Sequence, residues 1–200
     1  MRRPRRRAEE TRAEILDTAE TLFRKQGVSG CSIAHIAQAL SMSPANVFKH
    51  FHSKVALADA ICERQISAMS QKVEALHLEG PAPERLKTLA FGLMDLHTQA
   101  VADNQFMLEM IFYLSETEIE SSKHYEKMVE TLFADLIRHG VEAGIYHSRD
   151  PQVSGRAAAA AFASVLHPVF LTRHSRAQTA ERCSQIVDLV NAALQNPLAK

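Results

Sequence analysis

The amino-acid sequence predicts an all-α protein with about nine helices. Apolar residues recur three and four positions apart along almost the whole chain, whereas alternation with a period of two is hard to find. Serine, proline and glycine residues separate the periodic segments at positions where helices commonly begin and end. With 46% apolar residues in 200, the composition supports a globular core and is too apolar for a disordered chain. The predicted helices cover roughly residues 8–26, 33–40, 44–51, 53–76, 82–102, 104–114, 119–143, 151–172 and 177–195.

The bounds of the first three helices follow from their flanking residues. Gly27 ends the first helix, because glycine adopts a positive φ without steric cost. Ser32 is suited to cap the second helix, and a break of three residues follows it. Ser43 followed by Pro44 predicts the N-cap and first turn of the third helix, since the proline ring supplies a helical φ and lacks only an N–H that has no partner there.

Similar signals bound the later helices. Ser53 caps the long fourth helix, and a segment rich in glycine and proline, residues 80–83, ends it. Gly144 is the expected C-terminal glycine of the seventh helix. Pro168 is expected to bend the eighth helix, because proline removes a helical hydrogen bond.

The net charge of zero hides an uneven distribution. Residues 1–54 hold ten Lys plus Arg against five Asp plus Glu, whereas residues 55–200 hold thirteen against eighteen. A basic segment followed by an acidic one predicts two functional parts, a DNA-binding domain over 1–54 and a second helical domain over 55–200. Neutrality of the whole chain therefore does not argue against binding to nucleic acid.

Several classes of protein are excluded by what the chain lacks. Its three cysteines show no CxxC spacing, so they predict neither a disulfide framework nor a zinc finger, and they suit a reducing cytoplasm. The charged residues after Met1 predict no secretory signal, and the longest apolar run, 157–166, is about half of a membrane span. Common phosphate-binding, zinc and nucleophile motifs are missing. We therefore predict a cytoplasmic protein that is not an enzyme, uses no cofactor or metal and does not bind membranes.

The second and third helices form a helix-turn-helix pattern. Ile36, Leu40, Met42 and Val47 are spaced to lock the two helices together, and Ala37 is small enough for the crossing. The second helix of such a unit enters the major groove with its N-terminal residues toward the bases. Its free face carries Pro44, Ala45, Asn46, Lys49 and His50.

Over about residues 8–60 the chain resembles the TetR-type transcriptional regulators. The residues that carry the resemblance are Ile36, Ala37, Ser43, Phe48, Phe51 and Lys54. The resemblance implies three DNA-binding helices followed by about six that bind an effector and a second subunit. Two positions depart from the pattern: Ser41 replaces the usual turn glycine, and Phe48 replaces the usual tyrosine, whose hydroxyl donates to phosphate.

The chemistry of the side chains suggests roles in DNA binding. Asn46 is able to pair with adenine, and Lys49 to reach guanine or a phosphate, while Pro44 and Ala45 suit a thymine methyl group. Lys54 is better placed for phosphate, and an arginine arm beginning at Arg2 either follows the DNA backbone or minor groove or is a disordered basic tail. The candidate DNA-binding residues are Arg5, Arg6, Arg7, Ser32, Ser43, Pro44, Ala45, Asn46, Phe48, Lys49, His50 and Lys54.

The resemblance implies that the second domain binds a small molecule and a second copy of the chain. Aromatic, Met and Leu side chains with a few polar groups suit an apolar effector. The candidate pocket residues are Ile66, Met69, Phe91, Met94, His97, Met110, Phe112, His124, Met128, Phe133 and His167. The candidate dimer residues, which alternatively form only the core of one protomer, are Ala158, Ala161, Phe162, Val165, Val169, Ile186, Leu189, Val190 and Ala193.

Three of the pocket candidates, His97, His124 and His167, lie on or beside apolar helical faces. They either converge on the pocket or form hydrogen bonds within the core. A metal site is the third alternative, and the absence of local ligand spacing disfavours it.

The favoured hypothesis is a dimeric regulator that represses transcription and releases a palindromic operator when an effector binds, with the fourth helix coupling the two events. The alternative is a helical protein that binds small molecules or serves as a scaffold, with a degenerate helix-turn-helix. Preference for one DNA sequence over competitor DNA distinguishes the two.

Overall fold

The structure, a computed structural model, describes residues 3–103, 106–115, 117 and 119–196. Helices account for all of its regular secondary structure in these ranges, so the predicted all-α fold class is confirmed. The helices are α1 (Arg3–Gly30), α2 (Ile33–Ala39), α3 (Pro44–His50), α4 (Lys54–Glu74), α5 (Ala82–Asp103), α6 (Phe106–Leu114), α7 (Glu120–Glu142), α8 (Pro151–Leu166), α9 (Pro168–Leu171) and α10 (Arg176–Gln195).

The first helix starts earlier than predicted and is interrupted where predicted. Its backbone is helical from Arg3, so the segment expected to form an arm belongs to α1, while Arg2 lies outside the described residues. Gly27 has φ 78° and ψ 160°, a conformation open almost only to glycine, and it separates the main helix from the last residues of α1.

Serine caps begin the three following helices, as predicted. Ser32 accepts a hydrogen bond from the N–H of His35, whose side chain accepts one from the Ser32 N–H in return. Ser43 accepts from the Asn46 N–H ahead of Pro44. Ser53 accepts from the Ala56 N–H at the start of α4. These bonds satisfy backbone donors that would otherwise lack a partner at a helix start.

The predicted eighth helix is divided in two. His167 has an extended backbone and ends α8, and its Nδ1 accepts from the Val169 N–H at the start of the short α9. Pro168 occupies the first position of α9, so it starts a new helix instead of bending a continuous one.

The helices form two compact units, each with its own apolar core. The first unit consists of Met1–Ile66 and Asn104–Ser122, and the second of Ser67–Asp103 and Lys123–Lys200. Phe106, Met107 and Met110 of α6 are buried in the core of the first unit. Division by packing therefore differs from the predicted functional division at residue 54, which stays a prediction.

A close approach of two helices in the second unit depends on a glycine. A Cβ atom at Gly155 of α8 would lie 2.7 Å from the Cα of Ala134 on α7. Only glycine permits this separation, and Phe162 of α8 then stacks on Phe133 of α7 with 5.0 Å between ring centroids.

No helix within the described ranges is long and apolar enough to cross a lipid bilayer.

Candidate functional site

The buried face of the helix-turn-helix is the one that its sequence predicts, and the exposed face agrees with the prediction in part. Val47 of α3 is fully buried, as are Ile36 and Ala37 of α2. Leu40 and Met42 are partly buried against the same core. On the opposite face the exposed side chains are Pro44, Ala45, Phe48 and Lys49.

Two residues that were predicted to lie on the exposed, DNA-reading face are half-buried and make contacts within the protein. Asn46 is half-buried, and its Nδ2 lies 3.6 Å from the Sδ of Met42. His50 is also half-buried, and its carbonyl oxygen accepts a hydrogen bond of 3.1 Å from Nη1 of Arg12, whose guanidinium lies over the Phe51 ring. The Arg12 contacts tie α1 to the end of α3, and no local pattern in the sequence indicates this role.

The two serine candidates, Ser32 and Ser43, cap helices of the motif. Ser32 Oγ accepts from the His35 N–H at 3.2 Å, and Ser43 Oγ accepts from the Asn46 N–H at 3.3 Å. Both side chains are exposed, and a hydroxyl that accepts one bond still has its own proton to donate. The caps therefore place two hydroxyl donors at the N-terminal ends of α2 and α3.

Lys54 points into the protein. Its Nζ donates to the carbonyl oxygens of Val28 at 2.8 Å and Cys31 at 3.0 Å, and it lies 5.0 Å from the centroid of the Tyr113 ring. Two of its three N–H donors are thus used internally, which leaves one for any contact outside the protein. Arg5, Arg6 and Arg7 lie in α1, and the structure describes their backbone only.

The turn of the motif keeps its usual geometry despite the missing glycine. Ser41 has φ 53°, in the left-handed region. The Met42 N–H donates to the Ala37 carbonyl and the Ser41 N–H to the Gln38 carbonyl, which is the paired hydrogen bonding of a Schellman motif. Serine therefore occupies a position that favours glycine, and the helix-turn-helix is not degenerate in shape.

We expect Ser41→Gly to stabilise the protein by about 0.5–1 kcal/mol, because glycine adopts a positive φ without the steric cost of a Cβ atom. Urea unfolding monitored by circular dichroism measures the change. Ala34→Gly, at an exposed position of α2 with helical backbone, is the control and should instead destabilise by up to about 1 kcal/mol. A lower stability of Ser41→Gly than of the wild type would contradict the strain inferred at this turn.

Phe48, which replaces the usual tyrosine, is 44% exposed on the outer face of α3. Its ring is therefore available to contact DNA, although it has no hydroxyl to donate to a phosphate.

The predicted pocket residues are distributed over both units. Met69, Phe91, Met94, Met128 and Phe133 belong to the core of the second unit or pack against it. Met110 lies in the core of the first unit. Ile66 is the last residue of the first segment of that unit, and Phe112 is 61% exposed. A cavity of about 220 Å³ lies at the turn between α7 and α8, among residues 141–149, and none of the predicted pocket residues lines it.

A buried polar pair lies in the second unit. His97 of α5 is 3% exposed, and its Nδ1 donates to the Leu93 carbonyl oxygen at 2.6 Å. Its Nε2 accepts from the hydroxyl of Tyr125 on α7 at 2.8 Å. The pKa of His97 is lowered to about 4, chiefly by burial and to a smaller extent by the charge of His167, while the bond to Leu93 acts in the opposite direction.

Two of the three histidines among the pocket candidates lie near each other. His97 and His167 are close enough for their charges to interact, whereas His124 is exposed on α7. Tyr125 was not among the predicted pocket residues. The signal that identifies it is its spacing, since it lies four and eight positions before Val129 and Phe133 on the inner face of α7.

The predicted dimer residues divide into a buried and an outer group. Ala158, Phe162 and Val165 are buried in the core of their own protomer. They are thus not on the free face of α8, which carries Val153, Ala157, Ala160 and Ala161. The remaining α10 and α9 candidates lie wholly or partly at the surface and are Val169, Ile186, Leu189, Val190 and Ala193.

Residues 15–61 match the family model described as bacterial regulatory proteins of the tetR family. Residues 82–187, more than half of the chain, match the model described as the tetracyclin repressor-like C-terminal domain. The chain belongs to the TetR family. This family consists of transcriptional regulators, which confirms the prediction that the chain is not an enzyme.

Individual relatives agree with the family assignment. HTH-type transcriptional regulator UidR of Escherichia coli is 30% identical over 103 residues, which cover 48% of this chain and 53% of that protein. The chain thus spans about half the length of this curated relative. HTH-type transcriptional repressor KstR2 of Rhodococcus jostii is 26% identical over 147 residues, 68% of each protein.

Solved structures show the same fold at low sequence identity. A TetR-family transcriptional regulator from Pectobacterium atrosepticum superposes with a TM-score of 0.69 at 18% identity, covering 96% of both chains. The structure of RolR in complex with resorcinol gives a TM-score of 0.68 at 14% identity, covering 92% of this chain and 89% of that one.

Proposed function

We propose that the protein is a homodimeric, ligand-responsive transcriptional repressor that binds a palindromic DNA operator. The observation that carries the proposal is the outer face of the helix-turn-helix. Pro44, Ala45, Phe48 and Lys49 are exposed near the start of α3 while Val47 anchors the helix in the core. A short helix presented in this way suits insertion into the major groove.

The charge distribution supports the same proposal. Residues 1–54 carry a net charge of +5 and the remainder a net charge of −5. Phosphate attraction then acts mainly on the segment that contains the helix-turn-helix. Lys49, the capping serines and the arginines at the start of α1 are the proposed phosphate contacts.

The core of the second unit is the proposed effector-binding region. Met94 lies in this core, Phe91 and Met128 pack against it, and His97 paired with Tyr125 supplies a hydrogen-bonding group in the same unit. An apolar environment with one or two polar groups suits a small, largely apolar molecule. RolR binds resorcinol, a small aromatic diol, in its crystal structure, and this chain shares that fold.

The proposed dimer interface is the outer face of α8 and α10. Small residues on α8 allow close approach of a second helix, and Leu189 of α10, which is 68% exposed, is a large apolar side chain without a place in its own protomer. A two-fold axis through such an interface would present two recognition helices to two half-sites. The residues of this outer face are Val153, Ala157, Ala160, Ala161, Ile186, Leu189 and Ala193.

A DNA titration tests the proposal. We expect the protein to bind DNA from upstream of its own gene, measured by fluorescence anisotropy, with an affinity that falls steeply as salt rises. Excess competitor DNA of random sequence should not remove the protein from its operator. Binding without sequence preference would favour the helical scaffold hypothesis instead.

We also propose that the Asn46 amide exchanges its contact with Met42 for hydrogen bonds to adenine, so Asn46→Ala should weaken operator binding by about 1–3 kcal/mol, roughly 5- to 150-fold in Kd. On an operator in which that adenine is replaced by another base, the wild type and Asn46→Ala should bind with equal affinity, because the contact is missing in both. Thr21→Ala is the control, since Thr21 is exposed on α1 and bonds within its own helix to the Asp17 carbonyl. Equal changes in operator affinity for the two substitutions would show that Asn46 does not contact the DNA.

A further inference from the structure

Two charged side chains bind the backbone of the turn over residues 28–31, which leads from α1 into α2. Oε1 of Glu109, on α6, accepts a hydrogen bond of 2.8 Å from the Ser29 N–H. Nζ of Lys54, at the start of α4, donates to the carbonyl oxygens of Val28 and Cys31. The carboxylate therefore binds a backbone donor of the turn and the ammonium binds its acceptors. We call these contacts the turn clamp.

Gly27 makes room for the turn clamp. Its φ of 78° interrupts the helix, and a Cβ atom at this position would lie 2.6 Å from Oε2 of Glu109. The bond from the Ser29 N–H is also the main cause of a lowered pKa at Glu109, with Lys54 contributing. The carboxylate is thus held in its charged form in contact with the turn.

The clamped turn leads directly into the helix-turn-helix. Cys31, whose carbonyl oxygen binds Lys54, precedes Ser32, the N-cap of α2. A shift of the turn would change the start of α2, against which α3 packs. The position of this turn therefore affects the orientation of α3, the proposed recognition helix.

We propose that Glu109 is a positioning residue for DNA recognition, and that through it α6 forms a working part of the DNA-binding unit. The inference rests on the proposed function of α3. Burial of Phe106, Met110 and Leu114 already holds α6 in the first core, so the role of Glu109 is to fix the turn and not to dock the helix. Removing its charge should affect DNA recognition more than folding.

The direction of the change in DNA affinity distinguishes a positioning role of Glu109 from a purely electrostatic one. Loss of a carboxylate from a DNA-binding unit by itself favours binding to a polyanion. If Glu109 acts only as a nearby charge, Glu109→Ala should bind DNA more tightly. If it positions the turn, the same substitution should bind the operator more weakly.

The experiment uses the full chain and the variants Glu109→Ala and Glu109→Gln. We expect Glu109→Ala to raise the operator Kd roughly tenfold and to lower the ratio of operator to random-DNA affinity, while hydrogen exchange of the Ser29 amide in the DNA-free protein speeds up by roughly tenfold. Glu109→Gln keeps an acceptor oxygen without the charge and should fall between Glu109→Ala and the wild type in both measurements. Glu14→Gln, an exposed carboxylate of α1, is the matched control and should leave the exchange of Ser29 unchanged.

Operator binding by Glu109→Ala that equals or exceeds wild-type binding would overturn the proposal, as would unchanged exchange at Ser29. If Glu109→Ala does not fold, the same criteria apply to Glu109→Gln. Failure of the wild-type protein to bind any operator would refute the proposed function separately, because exchange at Ser29 is measured without DNA.

Discussion

Leu189→Arg is expected to convert the protein from a dimer into monomers. Because a two-fold interface contains each residue twice, the substitution would bring two guanidinium groups into one apolar contact and bury charge without a partner. We expect the Kd of dimerisation to rise at least about a hundredfold, and operator affinity to fall with it, because a monomer reads only one half-site. Sedimentation velocity at micromolar concentration measures the change.

The fold of the protomer should survive this substitution, since the Leu189 side chain is 68% exposed in the single chain. Gln195→Arg is the control, because Gln195 is exposed on α10 about 120° around the helix from Leu189. A Leu189→Arg protein that sediments as a dimer would place the interface elsewhere than on this face of α10.

Acidification is expected to destabilise the protein through His97. Its pKa is about 4 in the folded protein against an ordinary value of 6.5, so the unfolded chain binds the proton more tightly. The stabilisation from neutral His97 is therefore present in full above about pH 6.5 and is lost as the pH falls toward 4. Between about pH 7.5 and pH 4.5 this one group should reduce the free energy of unfolding by about 2–3 kcal/mol.

Urea unfolding of the wild type and of His97→Gln at both pH values isolates this contribution, because carboxylates titrate equally in the two proteins. His139→Gln, at an exposed position of α7, is the control and should retain the pH dependence of the wild type. The same acid-induced loss in His97→Gln and the wild type would show that the burial of His97 is not its source.

The sequence predicted the helix-turn-helix in detail because the signals there are local. Ser32 and Ser43 cap the helices that follow them, and the cap bonds join atoms only three residues apart. The left-handed turn at Ser41 was not predicted, because the sequence showed there only a departure from the usual glycine. The cap bonds, in contrast, depend on neighbouring residues and so can be predicted without the rest of the fold.

The assignment of helices to cores was less predictable, because it depends on distant residues. The apolar side chains of α6 suit either core, and packing against α1 placed Met110 in the core of the first unit. α8 carries alanine on most sides, so its sequence does not distinguish the buried Ala158 from the outer Ala157 and Ala160. The side of α8 that faces inward is the one on which Gly155 lies close to Ala134 of α7.

The sequence by itself determined the all-α class, most helix ends, the buried face of the helix-turn-helix and the separation of basic from acidic segments. Those properties depend on the period of apolar residues, on cap chemistry and on a count of charges. Only the tertiary structure determined that Lys54 and Glu109 hold the turn before α2, and that His97 pairs with Tyr125. Each of these contacts joins residues more than twenty positions apart, and hydrogen bonds at such separations arise from packing, which no local pattern records.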